Sequence, residues 1–253
     1  MEKKKILIIG GLGKTARPII DLLIEDYSLV IFDIIPYNAN NILPTEDIKI
    51  IHGDICDINS LQKAMVDIDT IIHLAVNIMN TENDELSFSV NVFGTFNVLK
   101  AAKQMNVKRI IMASSAAVHV DELKNSVSSL TAAICSHEDF TYDLTKNLQE
   151  LEALNFSNTY AMNIMILRLG HIVNGKMKTD LDENVPLSEL AYCKGGWVCQ
   201  YDVARAFRKA VENGFCGYHL LHIIGSYQAK SRFDILTAKN ILDFECLEQF
   251  IEY

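Results

Sequence analysis

Seven short apolar runs, alternating with segments of helical spacing, constrain the fold of this chain more than any other feature. They are "KILIIG" (5–10), "SLVIFD" (28–33), "IKIIHG" (48–53), "DTIIHLA" (69–75), "KRIIMASS" (108–115), "NIMILRLG" (163–170) and "YHLLHIIG" (218–225). Apolar residues at consecutive positions suit strands covered on both faces, as in a parallel sheet flanked by helices. Between the runs, Ala16, Ile19, Ile20, Leu23 and Ile24 form one helical stripe. Leu61, Ala64 and Met65 form a second, and Val92, Phe96, Leu99 and Ala102 a third. Strand alternating with helix from the first residues predicts a doubly wound, Rossmann-type α/β fold. The expected organisation is a nucleotide-binding core over 1–170 and a small substrate-covering section over 171–253, packed as one unit. A chain of 253 residues buries enough surface to fold without covalent staples.

The turn after the first run narrows the ligand. "IIGGLGKTA" places Gly10, Gly13 and Ala16 at dinucleotide-binding spacing, where a strand hands over to a helix. Close backbone approach and free N–H groups at a helix N-terminus favour a pyrophosphate there, with Lys14 and Thr15 in the same loop. Asp33 ends the second run 20 residues after Gly13. Its carboxylate is suited to ribose hydroxyls and repels a 2′-phosphate, so NAD is expected rather than NADP. Pro18 lies inside the helical stripe and is expected to remove a hydrogen bond and bend the helix.

Bulk properties exclude several classes. A formal net charge of -9, with one short basic cluster at Lys3 to Lys5, argues against a nucleic-acid surface. No apolar stretch approaches the ~20 residues needed to cross a bilayer. Six cysteines show neither CxxC spacing nor histidines at metal-ligand intervals. They read as reduced thiols in a cytoplasmic protein, and no metal site is expected. His219 and His222 are three apart, which in a strand points them to opposite faces.

"FTYDLTKNLQE" (140–150) places Tyr142 and Lys146 four residues apart at the start of a helix, on one face and within reach of each other. The order of these motifs, with "HGDICD" (52–57), "NVFGTFNVLKAA" (91–102), "VKRIIMASSAAV" (107–118), "ILRLGHIVNG" (166–175) and "YDVARAF" (201–207), resembles the extended short-chain dehydrogenase/reductase family. That group includes NAD-dependent epimerases and dehydratases. In length and final segment the chain is most similar to the uronate dehydrogenase branch. The resemblance implies a catalytic set of Ser115, Tyr142 and Lys146. It implies that Asp54 and Ile55 flank the adenine, that Leu74 and Ala75 line the cofactor path, and that Asn91 sits behind the active site. Lys146 would also bond the nicotinamide ribose. His171, after the sixth run, is a candidate substrate contact. Helices bearing Asn91 and Tyr142 would, by analogy, form a homodimer.

Three functions remain open at this point. The first is an NAD-dependent oxidoreductase acting on a small sugar-like or polar substrate, and the second an epimerase or dehydratase that returns the hydride. The third is a non-catalytic NAD(P)-sensing regulator.

Overall fold

The computed structural model describes residues 3–37, 45–77, 83–116, 140–190, 196–227 and 233–250. All seven apolar runs form strands of one parallel sheet: β1 (Lys5–Ile9), β2 (Ser28–Asp33), β3 (Ile48–His52), β4 (Thr70–His73), β5 (Arg109–Ser115), β6 (Asn163–Leu169) and β9 (Tyr218–Ile223). Their order, β3-β2-β1-β4-β5-β6-β9, reverses direction between β1 and β4. The carboxyl edge at that reversal is where open α/β sheets bind ligands.

Two apolar layers cover the sheet. On one face α1 (Ala16–Leu23) and α6 (Gln200–Glu212) pack over Ile6, Ile8, Ile111 and Leu167. On the other, α2 (Ile58–Ala64), α4 (Thr95–Gln104) and α5 (Phe140–Tyr160) pack over Leu7, Ile9, Ile110 and Ile166. Alternate residues of the central strands therefore serve opposite layers, which is why these runs are mostly apolar at consecutive positions.

The first two helical stripes are buried as their spacing predicts, but the third is rephased. A short helix α3 (Asp84–Ser87) runs into a π-helical segment, Phe88–Gly94, before α4 begins. Its wider i→i+5 bonding shifts the inward face. Asn91, Gly94, Val98 and Leu99 point inward while Phe96 faces out, edge-to-face with Phe156. The proline expectation is also corrected. Pro18 is the third residue of α1, among the first four whose N–H groups have no partner within the helix, so it removes no helical bond.

Beyond residue 170, α6 and β9 complete the two-layered core. The short parallel pair β7 (His171–Val173) and β8 (Trp197–Cys199) stands apart at the carboxyl edge, packed with Leu187 and Phe250. The last helix, α7 (Leu236–Leu242), lies against β9 and α6. The segment between β5 and α5, residues 117–139, lies outside the described residues.

Candidate active site

The phosphate loop is shaped for close approach. Gly10 adopts φ +78, and a Cβ there would meet the backbone N of Ala75 at 2.6 Å. Only glycine fits this combination of left-handed backbone and contact with the end of β4. Leu74 continues the ladder by donating its N–H to Ile9 O at 2.8 Å. Gly13 is exposed, and its carbonyl accepts from Ala16 N as α1 begins. Thr15 is the N-cap and makes no side-chain cap bond. Lys14 Nζ pairs with the Asp182 carboxylate. The acidic stretch at 180–185 is thus tied to the phosphate turn.

Asp33 holds that turn from below. Leu12 N donates to Oδ2 at 2.8 Å and Ile35 N to Oδ1 at 2.9 Å, with the side chain 7% exposed. A carboxylate accepting one bond per oxygen retains lone pairs for two further hydroxyl donors. Asp54 Oδ1 accepts from Cys56 N, and Ile55 is buried against Gly94. The glycine cradle, the helix terminus and the acidic end of β2 fit a dinucleotide in residue type and position.

At the other end of the carboxyl edge, α5 carries Tyr142, Lys146 and Glu150 as a stripe of every fourth residue. Tyr142 is half-buried and Lys146 is 4% exposed. Lys146 Nζ donates to Ala113 O at 3.0 Å, fixing the first turns of α5 on the end of β5. Burial pushes its pKa down to about 8, and the Glu150 charge resists that shift. Ser115 is the last residue of β5, half-buried and in register with Leu169 of β6. Strand alternation places it on the face of Ile111 and Ala113, opposite Ser114. Ser114 donates to Glu150 Oε1 at 2.5 Å, and its neighbour Ser115 carries a second hydroxyl at this strand end.

Asn91 braces the site from behind. It is fully buried, accepts from Asn77 N at 2.7 Å, and donates to Asn77 O and to Thr145 Oγ1. Thr145 Oγ1 in turn donates to the carbonyl of Tyr142 at 3.0 Å. The Asn91 amide is therefore engaged by protein groups, linking the chain after β4 to the turn bearing Tyr142. His73, on β4, shares a 3.0 Å hydrogen bond with Thr95 Oγ1, which also accepts from Gln149. Burial, with the Lys146 charge second, pushes His73 down to about 3 and keeps it neutral.

His171 lies exposed on β7, its ring against Trp197, which is buried. His222 is buried and the His219 ring bonds Cys216 O, so the two diverge as their spacing predicts. Lys176 lies over the Tyr201 ring, and Lys178 pairs with Glu248. Sequence reasoning missed Ser114, Glu150 and Arg168. One signal was present: Arg168 is a charge inside an otherwise apolar strand.

A glycine cradle at a switch point, together with a Tyr-x-x-x-Lys helix on the carboxyl ends of β5 and β6, defines a dinucleotide-dependent protein of Rossmann type. A profile of the NAD dependent epimerase/dehydratase family matches residues 6–185, and the chain belongs to that family. NAD is the coenzyme of this family, whose members are dehydrogenases, epimerases and dehydratases.

Human sterol-4-alpha-carboxylate 3-dehydrogenase, decarboxylating, is 30% identical over 156 residues, which is 60% of this chain and 40% of that protein. The chain thus spans well under half the length of that relative. The L-arabinose 1-dehydrogenase (NAD(P)(+)) of Haloferax volcanii is 22% identical over 219 residues, covering 82% of each chain. Among solved structures, a dTDP-glucose 4,6-dehydratase double mutant from Streptomyces venezuelae with NAD bound superposes with TM-score 0.77 at 18% identity. That alignment covers 97% of this chain and 92% of the dehydratase. No helix among the described residues is long and apolar enough to cross a membrane.

Proposed function

We propose that the chain is an NAD-dependent oxidoreductase that moves a hydride at a hydroxyl or carbonyl carbon of a small, polar, sugar-like substrate. The observation that carries this reading is the buried Lys146 amine, bonded to the end of β5 one helical turn from Tyr142. Free N–H groups at the start of α1 would receive the pyrophosphate, and Asp33 the adenosine ribose hydroxyls. NAD, when bound, supplies the two-electron acceptor. In a low-dielectric setting the Lys146 ammonium favours the phenolate of Tyr142, which takes the substrate hydroxyl proton while Ser115 donates to the reacting oxygen. Reduction uses the same groups in reverse.

The arabinose dehydrogenase, aligned over most of both chains, supports a sugar-like substrate. A uronate is not favoured, because Lys176 and Lys178, the cations after β6, are engaged by Tyr201 and Glu248. The section after residue 170, with His171 at its start, would cover the substrate. The family assignment also favours a second reading, an epimerase or dehydratase without net redox change. A panel of free sugars, uronates and nucleotide sugars, scored first by thermal shift with NAD and then by absorbance at the NADH band, separates the two. Accumulating NADH identifies the dehydrogenase. Product without NADH rejects it, and no binding of NAD rejects both.

The α3–α4 and α5 surfaces expose Phe93, Phe96, Phe140 and Tyr160, which would be covered in a homodimer. Sedimentation of a Phe93→Asp/Phe96→Asp variant tests this, a monomer being expected where the wild type is dimeric. Cys56, Cys199 and Cys216 are thiols, which fits a reducing cytoplasm.

A further inference from the structure

Glu150 and Arg168 form an ion pair with both side chains 1% exposed. Arg168 Nε donates to Oε1 at 2.9 Å and Nη2 to Oε2 at 2.5 Å, a fork geometry that also leaves Oε1 to accept from Ser114. Ser114 and Arg168 are register partners on β5 and β6, so one carboxylate from α5 straddles two neighbouring strands at their carboxyl ends. Apolar groups of similar volume usually serve stability as well as a buried ion pair does, so stability alone gives little reason for this one. Its position supplies another. Glu150 is one turn from Lys146 and two turns from Tyr142 on the same stripe, and Ser114 precedes Ser115.

We propose that Glu150, held by Arg168 and Ser114, is a positioning residue that registers the Tyr142–Lys146 stripe against the ends of β5 and β6 and keeps the Lys146 amine charged. The proposal rests on the oxidoreductase reading for its purpose, but its test does not. Lys146 has several charged or titratable neighbours. Glu150, Tyr142 and Asp143 lie on its own helix and His73 on β4 feels its charge, while Arg168 on β6 and Tyr218 on β9 act on Glu150. His73 is neutral across the working range, and burial and the Glu150 charge hold the Tyr218 phenol above its ordinary range. Glu150 is then the anion that opposes desolvation of Lys146, and Arg168 is the cation paired with it.

The decisive measurement is a pH titration of the Lys146 amine by NMR in lysine-labelled apoprotein, its resonance assigned by its loss in Lys146→Arg. The wild type should titrate well below an ordinary lysine. Glu150→Gln, which leaves the Arg168 charge in place, should lower the midpoint by about one unit or more. Glu150→Gln/Arg168→Met removes both charges and should give a smaller shift in the same direction, and it avoids an uncompensated buried cation if the single variant does not fold. Glu150→Asp, which retains the anion, should return the midpoint toward wild type. A Lys146 midpoint unchanged in the folded variants would overturn the proposal and leave the ion pair a purely structural tie. Absence of turnover with every substrate would instead count against the oxidoreductase reading, since the titration uses neither NAD nor substrate.

Discussion

Lys146 Nζ and the carbonyl oxygen of Ala113 lie 3.0 Å apart, in a bond that spans 33 residues and joins the helix bearing Tyr142 to the strand ending in Ser115. A lysine so placed is shielded from water, yet its four-carbon stem lets the ammonium reach the sheet edge. On the proposed function, activity and stability depend on the same proton.

Tyr142→Phe removes the phenolic hydroxyl, the proposed proton carrier, and keeps the ring. NAD binding, followed by calorimetry, should be retained, while turnover should fall by about 10²–10⁴-fold, the usual contribution of a general acid/base. Turnover at the wild-type level would remove Tyr142 from the proton-transfer role.

The lysine pKa gives a pH dependence of stability whose sign is fixed. Its folded value, about 8, lies below the unfolded 10.5, so between those values the unfolded chain binds more protons. Stability from this group is therefore diminished below pH ~8, rises with pH through that interval, and levels off above pH ~10.5. The full span is about 3 kcal/mol. Denaturation curves across that interval should show the rise in wild type and lose it in Lys146→Met, and an equal rise in both would assign it to other groups.

His73 behaves in the same sense at acid pH. Its folded value of about 3 lies below the unfolded 6.5, so stability falls as pH drops from 6.5 toward 3. His73→Asn should flatten this part of the profile in acid-denaturation curves. An unaltered acid limb would mean that other groups govern it.

Gly10→Ala places a methyl group 2.6 Å from the Ala75 nitrogen at a positive φ. The backbone conformation alone is expected to destabilise the fold by about 1–3 kcal/mol, with the clash adding to it. Calorimetric melting should show the loss, and NAD should fail to raise the melting temperature as it does for wild type.

Asp33→Asn keeps an acceptor for one backbone N–H but loses the negative charge that, on the proposed function, would repel a 2′-phosphate. NAD affinity should weaken and discrimination against NADP should shrink, by about tenfold for each 1.4 kcal/mol of interaction lost. Equal titrations of NAD and NADP against both proteins measure it, and an unchanged ratio of affinities would remove Asp33 from coenzyme selection.

Much of this architecture is legible in the chain because it is local. Consecutive apolar residues mark the strands, since a strand covered on both faces has no polar alternate. Gly10 and Asp33 are legible because a tight turn and an acidic strand end have few chemical substitutes. Phe96 was not legible. Its spacing fits an α-helical stripe, and only the π-helical segment before it rotates that residue outward. Pro18 misled for a related reason, since its effect depends on where α1 starts, and the boundary lies two residues before it.

The sequence by itself determined the order of strands and helices along the chain, the glycine turn, the acid at the end of β2 and the spacing of Tyr142 and Lys146 along one helix, all of which are short-range. Tertiary structure alone decided that Glu150 would meet Arg168 and Ser114, that Asn91 would bridge Asn77 and Thr145, and that Lys14 would find Asp182. Those contacts join residues 14 to 168 positions apart in the chain, where a polar side chain's partner is set by which strands neighbour each other. Burial then fixes how strongly each charge is felt, as with Lys146, whose low proton affinity exists only once the sheet and α5 have excluded water.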